Sequence, residues 1–483
     1  PLQTTHPITF LIIGAGIAGL SAAIALRRVG HDVVVLEALE REKTRGYGGI
    51  RLPPNLTKVL FHWGLRKQLE ERALVSRLMH YCRYETAGFL GNQVWDTQTL
   101  KDTRGTYMVA THDDLHNILY DAAVAHGAQI QHGVRVADVD AAQSEVVLED
   151  GERIHGDVIV GADGERGRCR GVLLGEPASG RPTGTVLYQY VFLSFSHITG
   201  KGGLGWDRSV CHVIGDRKTL VCFPVHGNEE YALEFFGYDD VEGQWDDEPS
   251  VTISEVTQSI NPLFKPLFVN CPPAVRISVR EHEELEDWVS EDGPLVLIGE
   301  AAHPFPPGSV QCAAMAVEDG AVLGRLFARL THPRQIAPLL YAFAEVRTPR
   351  VALVRARDAH DLAFMTLPDG PVQRARDRRM RALTAQGKNV LEDLDGARLW
   401  EALCTIFGYD CEDEAEDWWQ RWGVLREAAH GDGDGDGDGG GAESEESRRS
   451  RVDFSRMSVS VSTDETTTTT TTTTVEDDAQ DAR

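Results

Sequence analysis

The sequence predicts an α/β protein built from a Rossmann-like dinucleotide-binding domain, an inserted β-sheet domain and a C-terminal helical region. Three observations carry that prediction. Near the N-terminus an apolar strand pattern runs into Gly14-Ala-Gly16-Ile-Ala-Gly19 and straight on into a helical pattern. Between residues 181 and 284 the pattern turns β-rich, with strands reading TVLYQYVFLSF, LVCFPVHG and YALEFFGY. Past Arg347, arginine-rich stretches of helical character take over. The boundaries that follow are 1–180 and 285–345 for the two parts of the nucleotide domain, 181–284 for the inserted sheet, 346–430 for the helical region and 431–483 for a tail.

The first element is a buried strand, Ile8 to Ile13, followed by a glycine turn and a helix from about Ile17. Gly14 permits the tight turn, Gly16 lets a pyrophosphate approach the backbone, and Gly19 lets helix and strand pack closely. A second strand, HDVVVLEA, ends in Glu37, placed to accept hydrogen bonds from a ribose. Residues 8 to 26 are apolar enough to resemble a membrane span, yet the glycine turn divides them, and no basic flank precedes them as in a signal peptide. Gly200-Lys-Gly202-Gly-Leu-Gly205 repeats the glycine spacing. The next residues, WDRSVCHVIG, alternate like a strand, so no helix N-terminus would receive a phosphate there. One dinucleotide fold is expected, and it can serve either a nicotinamide or a flavin.

Composition narrows the partners. A formal charge of −26 over 483 residues excludes nucleic acid and anionic membrane as natural partners, since both require basic surface. From Gly431 the composition becomes GDGDGDGDGGG, then ESEESRRSR, then a threonine run from Thr466 to Thr474, which reads as a disordered, solvated tail. The eight cysteines show neither CxxC pairs nor metal-ligand spacing, so they read as reduced thiols in a cytoplasmic protein without a metal site. Asn55 opens a glycosylation sequon, NLT, with no other sign of secretion.

The stretch GEAAHPFPPGSVQCAAMAVEDG, residues 299 to 320, is the most unusual. Pro304, Pro306 and Pro307 fix one loop shape and remove backbone donors. The helix that follows begins with Ala313 and Ala314, leaving room for a large, flat, partly anionic ligand at its N-terminus. Upstream, GDVIVGADGERGRCR carries an Asp163-Gly164 pair at a strand end. These motifs, in this order, resemble the FAD-dependent aromatic hydroxylases, the single-component flavoprotein monooxygenases that include salicylate and 4-hydroxybenzoate hydroxylases. The resemblance runs from about residue 8 to 425 and includes GGIRLPPN, DDLHNILYDAA and YAFAEVRTPR.

The resemblance implies roles for particular residues. Gly14, Gly16 and Gly19 would hold the FAD pyrophosphate, Glu37 the adenosine ribose, and the backbone at Gly48 and Gly49 the flavin ring. Asp163 would buttress the pyrophosphate and Glu300 would meet the ribityl chain. Pro307, Gly308, Cys312 and Ala313 would line the flavin ring, Pro307 on its reacting side. Four positions depart from the family pattern. Glu300 replaces an aspartate, Cys312 a glycine and Gly167 a serine; His112 replaces an arginine that helps hold the cofactor. His112 either substitutes for that arginine or is an ordinary surface loop residue. His303 reads as a structural cap of the loop.

The implied chemistry is reduction of the flavin by NADH or NADPH, then oxygen transfer from a flavin C4a-hydroperoxide to an electron-rich ring. Phe223-Pro224 resembles an aromatic-proline pair at the pocket wall. Tyr107, Tyr188, Tyr190 and Pro306 are further pocket candidates. Thr219 stands where some relatives have a histidine base, which leaves the proton-accepting group unassigned, as is any carboxylate-binding arginine. The arginine-rich helices read as a solvated face. The expected activity is hydroxylation of a phenolic acid, with or without decarboxylation. The alternatives are hydroxylation or epoxidation of a larger secondary metabolite, and a non-catalytic flavin-binding protein.

Overall fold

Burial on both faces explains why Thr9–Ile13 reads as an unbroken apolar run: it is the central strand of a five-stranded sheet. In space the order is Leu295–Leu297, Val158–Gly161, Thr9–Ile13, Asp32–Leu36 and Gln129–Gln131, and every pairing is parallel. The computed structural model describes residues 2–41, 48–95, 97–193, 209–245, 247–268, 271–391 and 404–423. The Gly200–Gly205 repeat and the 431–483 tail lie outside the described residues.

The helix Ile17–Arg28 follows the first strand and packs against Cys312–Phe327, with a continuous core of apolar side chains around both. Both helices carry runs of small residues on the shared face, which lets their axes approach closely.

A second sheet has seven strands, in the order Val275–Glu281, Arg181–Leu193, Glu230–Tyr238, Thr219–Val225, Val210–Ile214, Leu78–Arg83 and Phe89–Val94. Its pairings are antiparallel except Val210–Ile214 with Leu78–Arg83. The sheet therefore draws two strands from residues 78–94, beyond the 181–284 stretch whose sequence pattern announced it. Those two strands are short and half polar, and only long-range pairing makes them part of the layer.

The helix Ile336–Met365 runs for 30 residues through Pro349, and Pro371–Ala385 follows. Their arginines do not form the uniformly solvated face expected. Arg347 and Arg350 are buried. Arg347 pairs with Glu318 and Asp319, each at 2.7 Å, and Arg350 pairs with Glu318 at 3.1 Å. Charged side chains this deep must be paired, and the acids of the Cys312–Phe327 helix supply the partners. Among the described residues no helix is long and apolar enough to cross a membrane.

Candidate active site

The strand Thr9–Ile13 ends at Gly14, whose φ of +103° belongs to glycine. A side chain there would also strike the carbonyl oxygen of Ala162, 2.5 Å away. Gly16 caps the next helix without any side-chain hydrogen bond, and no acid stands in the first turn. The free N–H groups of that turn are thus open to an anion. Nothing lies within 4 Å of a Cβ built on Gly16, whereas one on Gly19 would meet the Gly14 carbonyl oxygen at 2.0 Å. Gly16 faces open space; Gly19 faces backbone.

Glu37 and Asp163 flank this turn, and His116 Nε2 meets the Ala15 carbonyl oxygen at 2.8 Å one helical turn beyond His112. The Glu37 carboxylate accepts the Ala15 N–H at 2.7 Å and the Leu39 N–H at 2.8 Å, which fixes its orientation and leaves lone pairs for a ribose. Asp163 accepts the Cys169 N–H at 3.0 Å through one oxygen, while its other oxygen is buried without a partner. His112 begins the His112–Ala125 helix and gives its backbone N–H to Gly48 O. Its Nδ1 is also buried and unpartnered. The imidazole is neutral: burial, then nearby His116, pulls its pKa down to about 4. The ordinary-surface-loop reading of His112 is therefore corrected, because the residue opens a helix and is half-buried with its Nδ1 covered. The open Gly16 cradle, the uncapped helix and the two orphaned polar atoms fit the pyrophosphate and polar chain of FAD.

The other half of the seat comes from residues 299–313. Glu300 stands in a one-turn helix, Gly299–Ala301, and receives the Cys312 thiol hydrogen at 3.3 Å. Burial, reinforced by the charge of Glu165, raises its pKa to about 7. The helix Cys312–Phe327 again starts without a side-chain cap, so the amides at Cys312 and Ala313 are free to stabilise negative charge. Behind the loop, Asp319 accepts the Gly299 N–H at 2.8 Å and meets His303 Nε2 at 2.6 Å. His303 thus braces the loop from below. Asn55 is buried in the helix Pro54–His62, where it donates to Gln311 and Glu318. Its sequon is closed to modification in this fold.

Gly308, with φ of +74°, ends the proline loop over the seven-stranded sheet. A side chain there would press on the Phe236 ring at 2.8 Å. Between the loop, the sheet and the Ile336–Met365 helix lies a cavity of about 180 Å³. Pro306, Pro307, Gly308 and Ser309 form one wall. Tyr81, His212, Val221 and Phe236 belong to the sheet, and Val354, Asp358, Asp361, Leu362 and Met365 to the helix. Val354, Asp358, Asp361 and Met365 recur at spacings of three or four residues, with Leu362 beside them, which puts the set on one face.

Across the sheet, Tyr81, His212, Val221, Glu234 and Gln189 lie in register on neighbouring strands. His212 stacks on Tyr81 with ring centres 4.9 Å apart. Burial, then the Arg51 charge, lowers its pKa to about 3, so it is a neutral ring. Arg51 points in from the strand Gly49–Leu52. It donates to Glu234 at 2.8 Å and to the Gly308 carbonyl oxygen, and both charged residues are buried. Gln93 Oε1, Trp95 Nε1, Tyr107 Oη and His212 Nδ1 belong to cavity-lining residues, are buried, and have no hydrogen-bond partner in the protein. Burial raises the Tyr107 hydroxyl to about 12, so it remains protonated.

Of the pocket residues read from the sequence, Tyr107 and Pro306 line the cavity. Phe223 packs against Gly49 beneath it, and Thr219 is buried at the strand's start, its hydroxyl unpartnered. Tyr188 and Tyr190 are corrected: they belong to the core on the opposite face of the sheet, Tyr188 donating to Asp239 at 2.6 Å. Strand alternation sends Gln189 to the cavity side, where it donates to Gly49 O. Arg51, Gln93, His212 and Asp358 escaped sequence reading. A basic residue inside GIRL and a histidine inside VCHVI, both in apolar strands, were the available signals.

The family model described as FAD binding domain matches residues 8–358. Among curated relatives, the FAD-dependent monooxygenase OpS4 of Beauveria bassiana is 28% identical, over 78% of this chain and 89% of its own length. The 3-hydroxybenzoate 6-hydroxylase of Klebsiella oxytoca is 27% identical, over 71% of this chain and 85% of its own. Among solved structures, CtdE in complex with FAD and substrate 4 superposes with a TM-score of 0.72 at 20% identity, covering 87% of this chain and 100% of CtdE. A salicylate hydroxylase substrate complex gives 0.66 at 19% identity, covering 85% and 97%.

Proposed function

Since this chain belongs to the FAD binding domain family and is an FAD-dependent monooxygenase, we propose that it oxidises NADH or NADPH and inserts one oxygen atom of O2 into an electron-rich aromatic ring. Bound FAD supplies the redox and oxygen-activating chemistry. One observation carries the choice of an aromatic hydroxyl compound: the cavity beside the Pro306–Ser309 wall holds a neutral His212 and a protonated Tyr107, each with an unanswered polar atom.

The chain's own groups divide the work. Gly14, Gly16, Gly19, Glu37, His112 and Asp163 hold the dinucleotide, and Glu300 holds its sugar alcohol chain. Gly49, Pro307, Gly308, Cys312 and Ala313 frame the ring, with the Cys312 and Ala313 amides stabilising negative charge on it. The prolines keep water out and leave few backbone donors to compete. His212 Nδ1 accepts the hydrogen of a ring hydroxyl, and Tyr107 orients that hydroxyl. The hydrogen bond accepted by neutral His212 polarises the hydroxyl and raises electron density on the ring carbon to be attacked, while the imidazole itself stays unprotonated.

A bulkier secondary metabolite is supported by the mostly apolar helix-side wall and by relatives such as the asperlicin C monooxygenase of Petromyces alliaceus, 27% identical. All eight cysteines are free thiols, which suits a reducing, cytoplasmic setting.

The test is anaerobic reduction of the bound flavin by NADH and by NADPH, followed by its absorbance, with and without a panel of phenols. Acceleration by a phenol supports substrate-gated hydroxylation. Reduction that no aromatic compound accelerates would overturn it.

A further inference from the structure

We propose that the substrate is an aromatic compound carrying a basic nitrogen and no carboxylate, and that Asp358 is the residue that meets the nitrogen. The inference rests on the monooxygenase reading above and narrows its substrate.

The first argument is the charge around the cavity. Arg51 is the buried cation, and it is committed to Glu234 and the Gly308 carbonyl oxygen. Arg357 pairs with Asp361 at 3.2 Å, at the solvent rim. His212 is neutral. Among the described lining residues that leaves Asp358, which lies beside Ser309 and within the field of Arg51 but forms no ion pair with any cation. A carboxylate-bearing substrate would bring another anion beside Asp358 and Glu234 and find no free arginine to answer it. An ammonium or protonated ring nitrogen would complete the only unpaired charge on the wall.

The second argument is independent of charge and concerns hydrogen-bond type. Gln93 Oε1 is buried, unpartnered and able only to accept, its own amide nitrogen already donating to Val94 O. A carboxylate has no hydrogen to give it. An amine or an N–H heterocycle does. A buried acceptor left empty by a bound ligand costs affinity, so Gln93 favours a ligand with an N–H to give, while Trp95 Nε1, a donor only, is answered by an acceptor such as the ring hydroxyl oxygen.

The position of Asp358 fits a specificity role. Val354, Asp358, Asp361, Leu362 and Met365 share one face of the Ile336–Met365 helix; Asp361 is answered by Arg357, whereas Asp358 stands between Val354 and Leu362 with no such partner on the helix.

The experiment titrates the FAD-loaded enzyme with matched probe pairs: tyramine against 4-hydroxyphenylacetate, and tryptamine against indole-3-acetate. The perturbed flavin absorbance reports occupancy without requiring turnover. In at least one pair the amine should half-saturate at a concentration at least about tenfold lower than the acid. D358N, with its flavin content unchanged, should erase that preference. If both acids bind as tightly as their amines, if no probe perturbs the flavin, or if D358N keeps the preference, the inference falls. An amine preference without NAD(P)H oxidation by any probe would instead sink the monooxygenase reading and leave the binding preference standing.

Discussion

Arg51 and Glu234 meet at 2.8 Å, at 5% and 2% exposure, under the carbonyl oxygen of Gly308. The pair joins the short strand below the flavin-side loop to the middle of the seven-stranded sheet. Two desolvated charges gain little net stability over an apolar pair, but removing one strands the other. The pair therefore fixes where the loop sits, and it also occupies the buried positive charge that, among the described lining residues, an acidic substrate could best have used.

E234A should lower stability by about 3–5 kcal/mol, because the guanidinium loses its counterion in a buried setting. E234Q keeps an acceptor for Arg51 but frees its charge. That variant should bind 4-hydroxyphenylacetate at least about tenfold more tightly than the parent, with tyramine weakened. Flavin-absorbance titration of both probes reads the switch. Unchanged affinity for the acid would mean that Arg51 is not directed at the cavity.

The dinucleotide half of the site was legible because its chemistry belongs to backbone and to local order. Gly14, Gly16, Gly19 and Glu37 lie within one strand-helix-strand unit, and their spacing alone implies their neighbours. The cavity was not legible, since Arg51 and Glu234 are 183 residues apart and His212 reaches Tyr81 only through a parallel pairing. Alternation in the strand Arg181–Leu193 shows that Tyr188 and Gln189 face opposite ways. Which of them faces the ligand depends on the partner layers, and these put Gln189 on the cavity side and the tyrosines in the opposite core. Arg347 misled for a related reason: a charged residue in a helix looks solvated until its acids are found on another helix.

G16A and G19A should separate cofactor binding from folding. Nothing lies within 4 Å of an added methyl at Gly16, whereas at Gly19 it would overlap the Gly14 carbonyl oxygen. G16A apoprotein should melt close to the parent yet retain little FAD, since the methyl occupies the path of the pyrophosphate. G19A should lose thermal stability as apoprotein. Flavin-to-protein ratio and apoprotein melting together check this, and full FAD occupancy in G16A would remove the pyrophosphate from that turn.

H212A should lower the rate of phenol-stimulated NAD(P)H oxidation by about tenfold, as expected for loss of one buried hydrogen bond to the reacting hydroxyl. Flavin content should not change, because His212 sits on the sheet, away from the glycine turn. H212Q, which keeps a hydrogen-bonding group, should recover part of the loss. Equal rates in parent and H212A would reassign the acceptor.

Stability should depend on pH through the same residue. The folded-state pKa of His212 lies near 3, against about 6.5 in an unfolded chain. Below about pH 6.5 the unfolded chain takes up a proton that the folded protein refuses, so stability falls as pH drops toward 3 and is fully present above 7. Moving from pH 7 to 5 should cost about 2 kcal/mol from this group. H212Q should show a correspondingly smaller decrease over that interval. Other buried histidines contribute to both proteins alike, so an identical decrease in the two would rule out His212 as a source.

The Arg347 network makes the last prediction. Its guanidinium holds Glu318 and Asp319 together, and Asp319 in turn holds the Gly299 N–H and His303 at the base of the proline loop. R347M would keep most of the volume while leaving two buried carboxylates short of charge. Glu318 still has Arg350 and Asn55, whereas Asp319 has only His303 and one amide at hydrogen-bonding distance. The loss should therefore concentrate on the loop. R347M should be about 3–5 kcal/mol less stable and should release FAD more readily. The double variant R347M/D319N, which removes the stranded charge but keeps a polar group for Gly299 and His303, should recover part of both. Melting temperature and flavin release measured on the three proteins decide it: loss of stability with normal FAD retention would confine Arg347 to the core and detach it from the loop.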